Sequence, residues 1–265
     1  DNLLLYAVTR RAYKSGGYNG SVSNPGGAAV AGDEYLTESV SDVEVGAKYQ
    51  AGRTRIAVAL FNNWLRNSQR TAYTAVNGGP AAVTVNIPKG KVYGAEIEVA
   101  VKAAYWLSLG TTFNYTKGSY SGVAAGATAL AGCNGASVFV NASVLCFDQL
   151  PDIARTSGTV FADIDVPVSG NINLSLHGDV YHTAKATTSP RSVNSFGTTI
   201  PGYATANFRI GFADKQAGWS LIGNLKNAFN KVYYAGGVNA GEIYQINTLV
   251  PGEPRTWTVE ARFKF

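Results

Sequence analysis

The 265 residues carry 46% apolar but only 15% charged side chains, with 30 glycines, 15 tyrosines and a net charge of +5. A soluble domain so far below the usual charged share of about 25% would struggle to cover its surface, yet no stretch approaches the roughly 18 consecutive apolar residues of a membrane-crossing helix. The basic residues are scattered rather than clustered, which argues against a nucleic-acid partner.

The predicted elements are strands throughout. The opening DNLLLYAVTRR lacks the basic start and long apolar stretch of a signal peptide, so a mature form or a piece of something longer is expected. It leads into a strand predicted over residues 3–13. Strands at 34–50 and 54–69 follow around a short turn at 51–53. At 91–102, Tyr93, Ala95, Ile97, Val99 and Val101 oppose Glu96, Glu98 and Lys102, the alternation of a β-strand with two unlike faces. Strands at 105–120 and 155–166 come next. At 171–184, Ile172, Leu174, Leu176 and Val180 oppose Asn173, Ser175, His177 and Asp179. At 202–213, Ala204, Ala206, Phe208, Ile210 and Phe212 oppose Thr205, Asn207 and Arg209. A strand at 218–228 precedes the last, at 254–265, where Trp257, Val259, Ala261, Phe263 and Phe265 oppose Thr258, Glu260, Arg262 and Lys264.

About ten strands result, and their connections alternate strictly. Short turns at 51–53, 103–104, 167–170 and 214–217 interleave with long segments at 14–33, 70–90, 121–154, 185–201 and 229–253. Short turns on one side and long loops on the other mark a transmembrane β-barrel of the bacterial outer membrane, the remaining structure that satisfies its backbone in lipid. The fold expected is therefore all-β and antiparallel, with one parity of each strand against lipid and the other facing a wet lumen. Trp257, Phe263 and Phe265, with Tyr105, Trp106 and Trp219 beside short turns, suit the interfacial girdles of such barrels. A soluble β-sandwich shows the same alternation, but with shorter strands and more charge.

Cys133 and Cys146 lie in a Gly/Ala/Ser-rich loop with no histidine nearby, so a metal site is not expected. The favoured reading is a disulfide, over two unpaired thiols; closing such a loop restricts the unfolded chain by about 3 kcal/mol. Ser175, His177 and Asp179 are the best nucleophile-relay types. Their Cα atoms should be about 6.8 Å apart, whereas relay groups need contacts of about 3 Å, so a polar stripe is the better reading. His182, of opposite parity, and Ser189 or Ser192 offer only a distant alternative. Substrate contact should fall on the long loops. There Tyr18, Tyr73, Tyr120, Phe139, Phe147, Phe196 and Tyr244 are the rings able to stack on a sugar or catechol. Segments 21–32 and 122–144 are nearly free of charge and offer neither an Arg/Lys cluster nor an acidic cage for a metal.

Five segments carry a resemblance. AYKSGGYNG (12–20), VYGAEIEVAV (92–101), LPDIARTSG (150–158), NLKNAFNKVYY (224–234) and PGEPRTWTVEARFKF (251–265) together resemble, in the right order, the C-terminal barrel of TonB-dependent outer-membrane receptors. The resemblance implies a receptor that binds a scarce nutrient at the cell surface, whether a ferric siderophore, cobalamin, haem or an oligosaccharide, and imports it with TonB-transduced force. It implies a barrel of 22 strands with a plug in its lumen. The roughly ten strands here would be its C-terminal part, with the plug, TonB-binding segment and earlier strands lying before Asp1. Partners implied are lipid, that missing remainder, TonB through the plug, and the assembly machinery through Phe265. No cofactor is implied. On this reading Glu96, Glu98, Lys102, Arg209, Lys226, Glu260, Arg262 and Lys264 face the lumen, where they hydrate the wall or hold the plug. A small barrel hydrolase and a passive porin or adhesin are the other functional classes in play.

Overall fold

The computed structural model describes residues 2–20, 34–76, 79–124, 127–129, 131–140, 143–188, 191–192, 199–214, 216–239 and 246–264, the side chains of 73–76, 79–81, 139–140, 143, 191–192 and 238–239 lying outside that description. Ten strands form the path of one 13-stranded sheet, three short strands being attached to it: β1 (Leu3–Lys14), β2 (Glu38–Ala51), β3 (Thr54–Val76), β4 (Gly79–Lys102), β5 (Leu107–Val123), β6 (Thr156–Ser169), β7 (Ile172–Thr183), β8 (Tyr203–Asp214), β9 (Trp219–Lys226) and β10 (Thr256–Phe263). Each pairs antiparallel with the next in the chain, and β1 and β10 do not pair with each other, so the barrel is not closed. Gly52 and Gly170 occupy short turns with φ of 53° and 54°, a left-handed backbone that other residues reach only with strain.

Register converts the alternating sequence into two faces, because directly opposed residues of an antiparallel pair point the same way. Across β6 to β10, Ile164, Leu176, Ile210, Gly223 and Val259 stand opposite one another. One residue further, Asp163, His177, Arg209, Asn224 and Thr258 do the same. Across β2 to β5, Val45, Leu60, Ala95 and Tyr115 share the apolar face, while Gly46, Ala59, Glu96 and Asn114 share the polar one. The apolar face is uncovered: Leu5 is 70% exposed, Val160 56%, Trp257 76% and Phe263 67%. A sandwich would have buried these rings, so that alternative is gone. So large an apolar face on a soluble monomer would be unusual.

The observed elements differ from those read in the sequence at the loop end of the sheet. The segment 70–90, expected as a long loop, is mostly strand: β3 and β4 continue as a paired arm up to Val76 and Gly79. The run Val83-Thr84-Val85-Asn86-Ile87 already alternates, and only the Asn-Gly-Gly-Pro tip suggests a loop. The strand expected at 34–50 breaks at Leu36–Thr37, leaving Glu34–Tyr35 to pair with Gly17–Tyr18. The buried core also lies at this end. Leu65, Ala72, Val83, Val85, Ile87, Tyr120, Val138, Leu145, Phe147 and Leu150 pack together between the arm and a hairpin, Ala136–Val140 with Ser143–Phe147.

Candidate functional site

The polar face carries ionic and amide contacts, most of them between neighbouring strands. At the β1 side, the Arg10 guanidinium donates to Asp42 at 2.6 Å and 2.8 Å and to Glu44 at 2.8 Å, and the Tyr6 hydroxyl donates to the other Glu44 oxygen at 2.8 Å. Farther round, Asn114 donates to Glu96, Arg55 lies 3.8 Å from Glu98, and Asn173 donates to Asp165. Arg262 donates to Glu260 on β10. Register therefore places Glu96, Glu98, Lys102, Arg209, Lys226, Glu260 and Arg262 on one face. Lys264 follows β10, and its backbone N–H donates to the Gly218 carbonyl. Phe265 lies outside the described residues.

The densest part of the band centres on His177. Its Nδ1 is 2.8 Å from Asp163 on β6, and its Nε2 is 3.3 Å from Asp179 on its own strand. Backbone spacing alone suggests that residues two apart cannot touch; these two side chains lean together and do. The Ser175 hydroxyl instead donates to the Gly211 carbonyl at 3.4 Å, so Ser175, His177 and Asp179 do not join as a relay. From Asp179 the contacts continue outward. Asn207 donates its amide to the second Asp179 oxygen at 2.9 Å and accepts the Asn227 backbone N–H at 3.0 Å. A pocket of about 470 Å³ opens along this line, with Arg209, Tyr233 and Glu253 on its other walls. Tyr233 stacks on Tyr203 with ring centroids 4.3 Å apart, and Tyr203 meets Tyr181 edge-on at 6.1 Å. No part of this line was legible in the sequence beyond the shared parity of its members.

At the loop end, amides pin the loops to the arm. Asn19 pairs with the Thr84 peptide group through both side-chain atoms, at 2.8 Å each. The Gln69 amide donates to the Ser15 and Leu36 carbonyls, and Asn86 both donates to and accepts from Leu36. Cys133 and Cys146 are joined in a disulfide, tying the hairpin to the preceding loop. Asp152, in the segment before β6, is pushed above the usual carboxylate range by burial, with the Arg70 charge opposing. Of the rings proposed for ligand contact, Tyr120 and Phe147 are almost fully buried, meeting edge-on at 6.3 Å, and Arg70 donates to the Tyr120 hydroxyl at 2.6 Å. Tyr18 is 72% exposed. Tyr73 falls on β3 and Phe139 on the hairpin, their side chains outside the description, while Phe196 and Tyr244 lie outside the described residues. Replacing both cysteines by serine should free the hairpin at a local cost of about 3 kcal/mol. Limited proteolysis should then cut within 131–150 while the ten-stranded sheet stays resistant.

Two of the five sequence segments that carry the resemblance meet in one architectural corner. Asn227 is 3% exposed with φ of 45°. Its amide donates to the Lys231 and Glu253 carbonyls at 2.9 Å and 3.0 Å and accepts the Lys231 N–H at 2.8 Å. Nearby, Asn230 accepts the Arg255 N–H, and Gly252 donates to the Tyr233 carbonyl. Segments 224–234 and 251–255 are thus one folded corner, though separated in sequence. The Asn227→Ala variant should remove three hydrogen bonds to backbone groups, each contributing about 1 kcal/mol. The corner should then be cleaved at least about tenfold faster by protease.

Comparison with known proteins places this geometry. Residues 1–228 match the family described as TonB dependent receptor-like, beta-barrel. The ferric yersiniabactin uptake receptor FyuA from Yersinia pestis superposes on the whole chain with a TM-score of 0.73 at 16% identity, the chain covering 35% of it. The copper transporter OprC superposes on the whole chain at 0.72 with 16% identity, 38% of it being covered. The ferric-catecholate import receptor Fiu from E. coli K12 also superposes on the whole chain, at 0.67 with 18% identity and 33% covered. The chain therefore spans about a third of the length of these structures, whose low identity speaks to fold alone. No curated protein matches the sequence. On the family match, with ten meandering antiparallel strands and a sheet of one apolar and one charged face, the chain belongs to the β-barrel family of TonB-dependent receptors.

Proposed function

We propose that this chain is the C-terminal part of an outer-membrane active-transport receptor. The apolar face lies against lipid in a Gram-negative outer membrane, the long loops face the cell exterior, and the polar face lines the lumen. The observation that carries this reading is an uncovered apolar face backed by an opposite face that is polar and holds ion pairs between β1 and β2, between β3 and β4 and on β10. Glu96, Glu98, Arg209, Lys226, Glu260, Arg262 and Lys264 are then wall residues that meet a plug supplied by the rest of the receptor, and that plug engages TonB. Phe265 presents the C-terminal strand to the assembly machinery. The cargo is a scarce nutrient: a chelated metal, as the names of the matched uptake receptors and copper transporter suggest, or cobalamin, haem or an oligosaccharide. Tyr18, Tyr73, Phe139, Phe196 and Tyr244 are the loop rings that would meet it; Tyr120 and Phe147 support them from the core.

Uptake of labelled candidate nutrients by cells carrying the full-length receptor tests the proposal. Accumulation should require both the receptor and TonB, and liposomes holding the receptor alone should stay sealed. Passive solute flux in those liposomes, or uptake indifferent to TonB, would replace the proposal with a porin.

A further inference from the structure

The line of contacts from His177 to the corner at 227–233 is continuous, and one of its links depends on a proton. Asp163, His177, Asp179, Asn207 and Asn227 follow one another at 2.8, 3.3, 2.9 and 3.0 Å, crossing from β6 to the loop beyond β9. Asn227 then holds Lys231 and Glu253. Each His177 ring nitrogen faces a carboxylate oxygen. A neutral imidazole has one N–H, so it donates to one of them only and turns a lone pair towards the other. Both contacts are hydrogen bonds only in the imidazolium.

We infer that the protonation state of His177 sets how firmly the loop corner 227–233 and its partner segment 251–255 are held. With His177 charged, Asp179 is fixed on one side by Nε2 and on the other by Asn207, and Asn207 presents its oxygen to the Asn227 N–H. With His177 neutral, the shorter contact to Asp163 keeps the proton. The lone pair on Nε2 then faces Asp179, which shifts and releases Asn207 from the corner. Acid favours the imidazolium, so the corner is clamped at lower pH and loosened at higher pH. The other groups around the ring do not supply this link. Asp163 and the Phe161 ring approach from β6, with Asp165 two residues along; Arg209 stands opposite on β8; Lys226 and Glu253, across the pocket, pair with each other at 3.7 Å. Among the described residues Arg209 has no ion-pair partner, and no hydrogen bond joins it to Asn207 or Asn227.

As a regulatory device on the binding side of the barrel, the clamp rests on the reading of the chain as a receptor wall; the hydrogen-bond line itself does not. Backbone hydrogen exchange of the full-length receptor in detergent, measured from pH 5.5 to 8 and corrected for intrinsic base catalysis, tests it. Protection at Asn227 and Lys231 should fall about tenfold across the range, the worth of one hydrogen bond to a charged group. His177→Gln should flatten the pH dependence, and Asn207→Leu should give low protection at every pH. Protection of the hairpin 136–147 should stay constant in all three proteins and so report that the barrel is assembled. Flat protection in the wild type, or a wild-type pH dependence in either variant, overturns the inference; should His177→Gln fail to assemble, the wild type and Asn207→Leu decide alone. TonB-dependent uptake is scored in parallel. Its absence with the exchange pattern intact overturns the transport reading only, and flat exchange with uptake intact overturns the clamp only.

Discussion

Gly94→Val in the full-length receptor should abolish assembly of the barrel. A Cβ at position 94 would lie 2.1 Å from the Tyr115 carbonyl oxygen and 2.7 Å from Phe61 Cζ. Phe61 stands directly opposite Gly94 on β3, its ring laid over the space that the missing side chain leaves. The ring could swing aside, but the Tyr115 carbonyl belongs to the neighbouring strand β5 and moves only if the sheet moves. Overpacking a well-filled site typically costs about 1–3 kcal/mol, and a clash with backbone belongs at or above the top of that range. Heat-modifiable migration in gels should show the unfolded form dominating. Gly20→Ala, whose added Cβ meets nothing within 4 Å, should assemble normally. A folded Gly94→Val receptor at wild-type yield would mean that the register of β3, β4 and β5 is wrong.

Ile210→Arg should be nearly as damaging, for a different reason. Ile210 sits mid-strand on the apolar face of β8, 44% exposed, between Leu176 and Gly223. If that face meets lipid, an arginine near the bilayer midplane costs about 2–4 kcal/mol, a large share of the marginal stability of a folded domain. The neighbouring Arg209 is charged already and tolerated, because it points to the other face. Unfolding titrations in urea, with the receptor in lipid bilayers, should show Ile210→Arg losing most of its stability and Arg209→Gln losing little. Equal and small losses at both positions would remove the distinction between the faces.

Much of the frame was legible from alternation alone. Trp257, Val259, Ala261 and Phe263 share one parity in the sequence and one face in the sheet, since a strand leaves its side chains no other arrangement. The pairing of Cys133 with Cys146 was legible too, because no histidine stands near them in the loop. What the sequence could not show was what depends on register between strands. Asp163 and His177 are 14 positions apart and meet only because β6 and β7 turn at Gly170. The bonding of Asn207 to Asn227 requires knowing where β8 stops being paired with β9. The arm at 70–90 was missed because its Asn-Gly-Gly-Pro tip outweighed the alternating run of Val83, Val85 and Ile87, whose apolar side meets the hairpin across a long sequence gap. Tyr120 and Phe147 looked like loop rings because that hairpin, which buries them, was not visible.

The central claim is that the apolar face of the strands touches lipid and the charged face does not. Spin labels placed one at a time along 204–213 of the receptor in bilayers, with the native cysteines already joined, test it most directly. Labels at Ala204, Phe208, Ile210 and Phe212 should relax with lipid-soluble oxygen and not with a water-soluble nickel chelate, while those at Thr205, Asn207, Arg209 and Gly211 should show the reverse or be shielded from both. Loss of that two-residue alternation, or Ala204, Phe208, Ile210 and Phe212 sheltered from oxygen, would contradict the account.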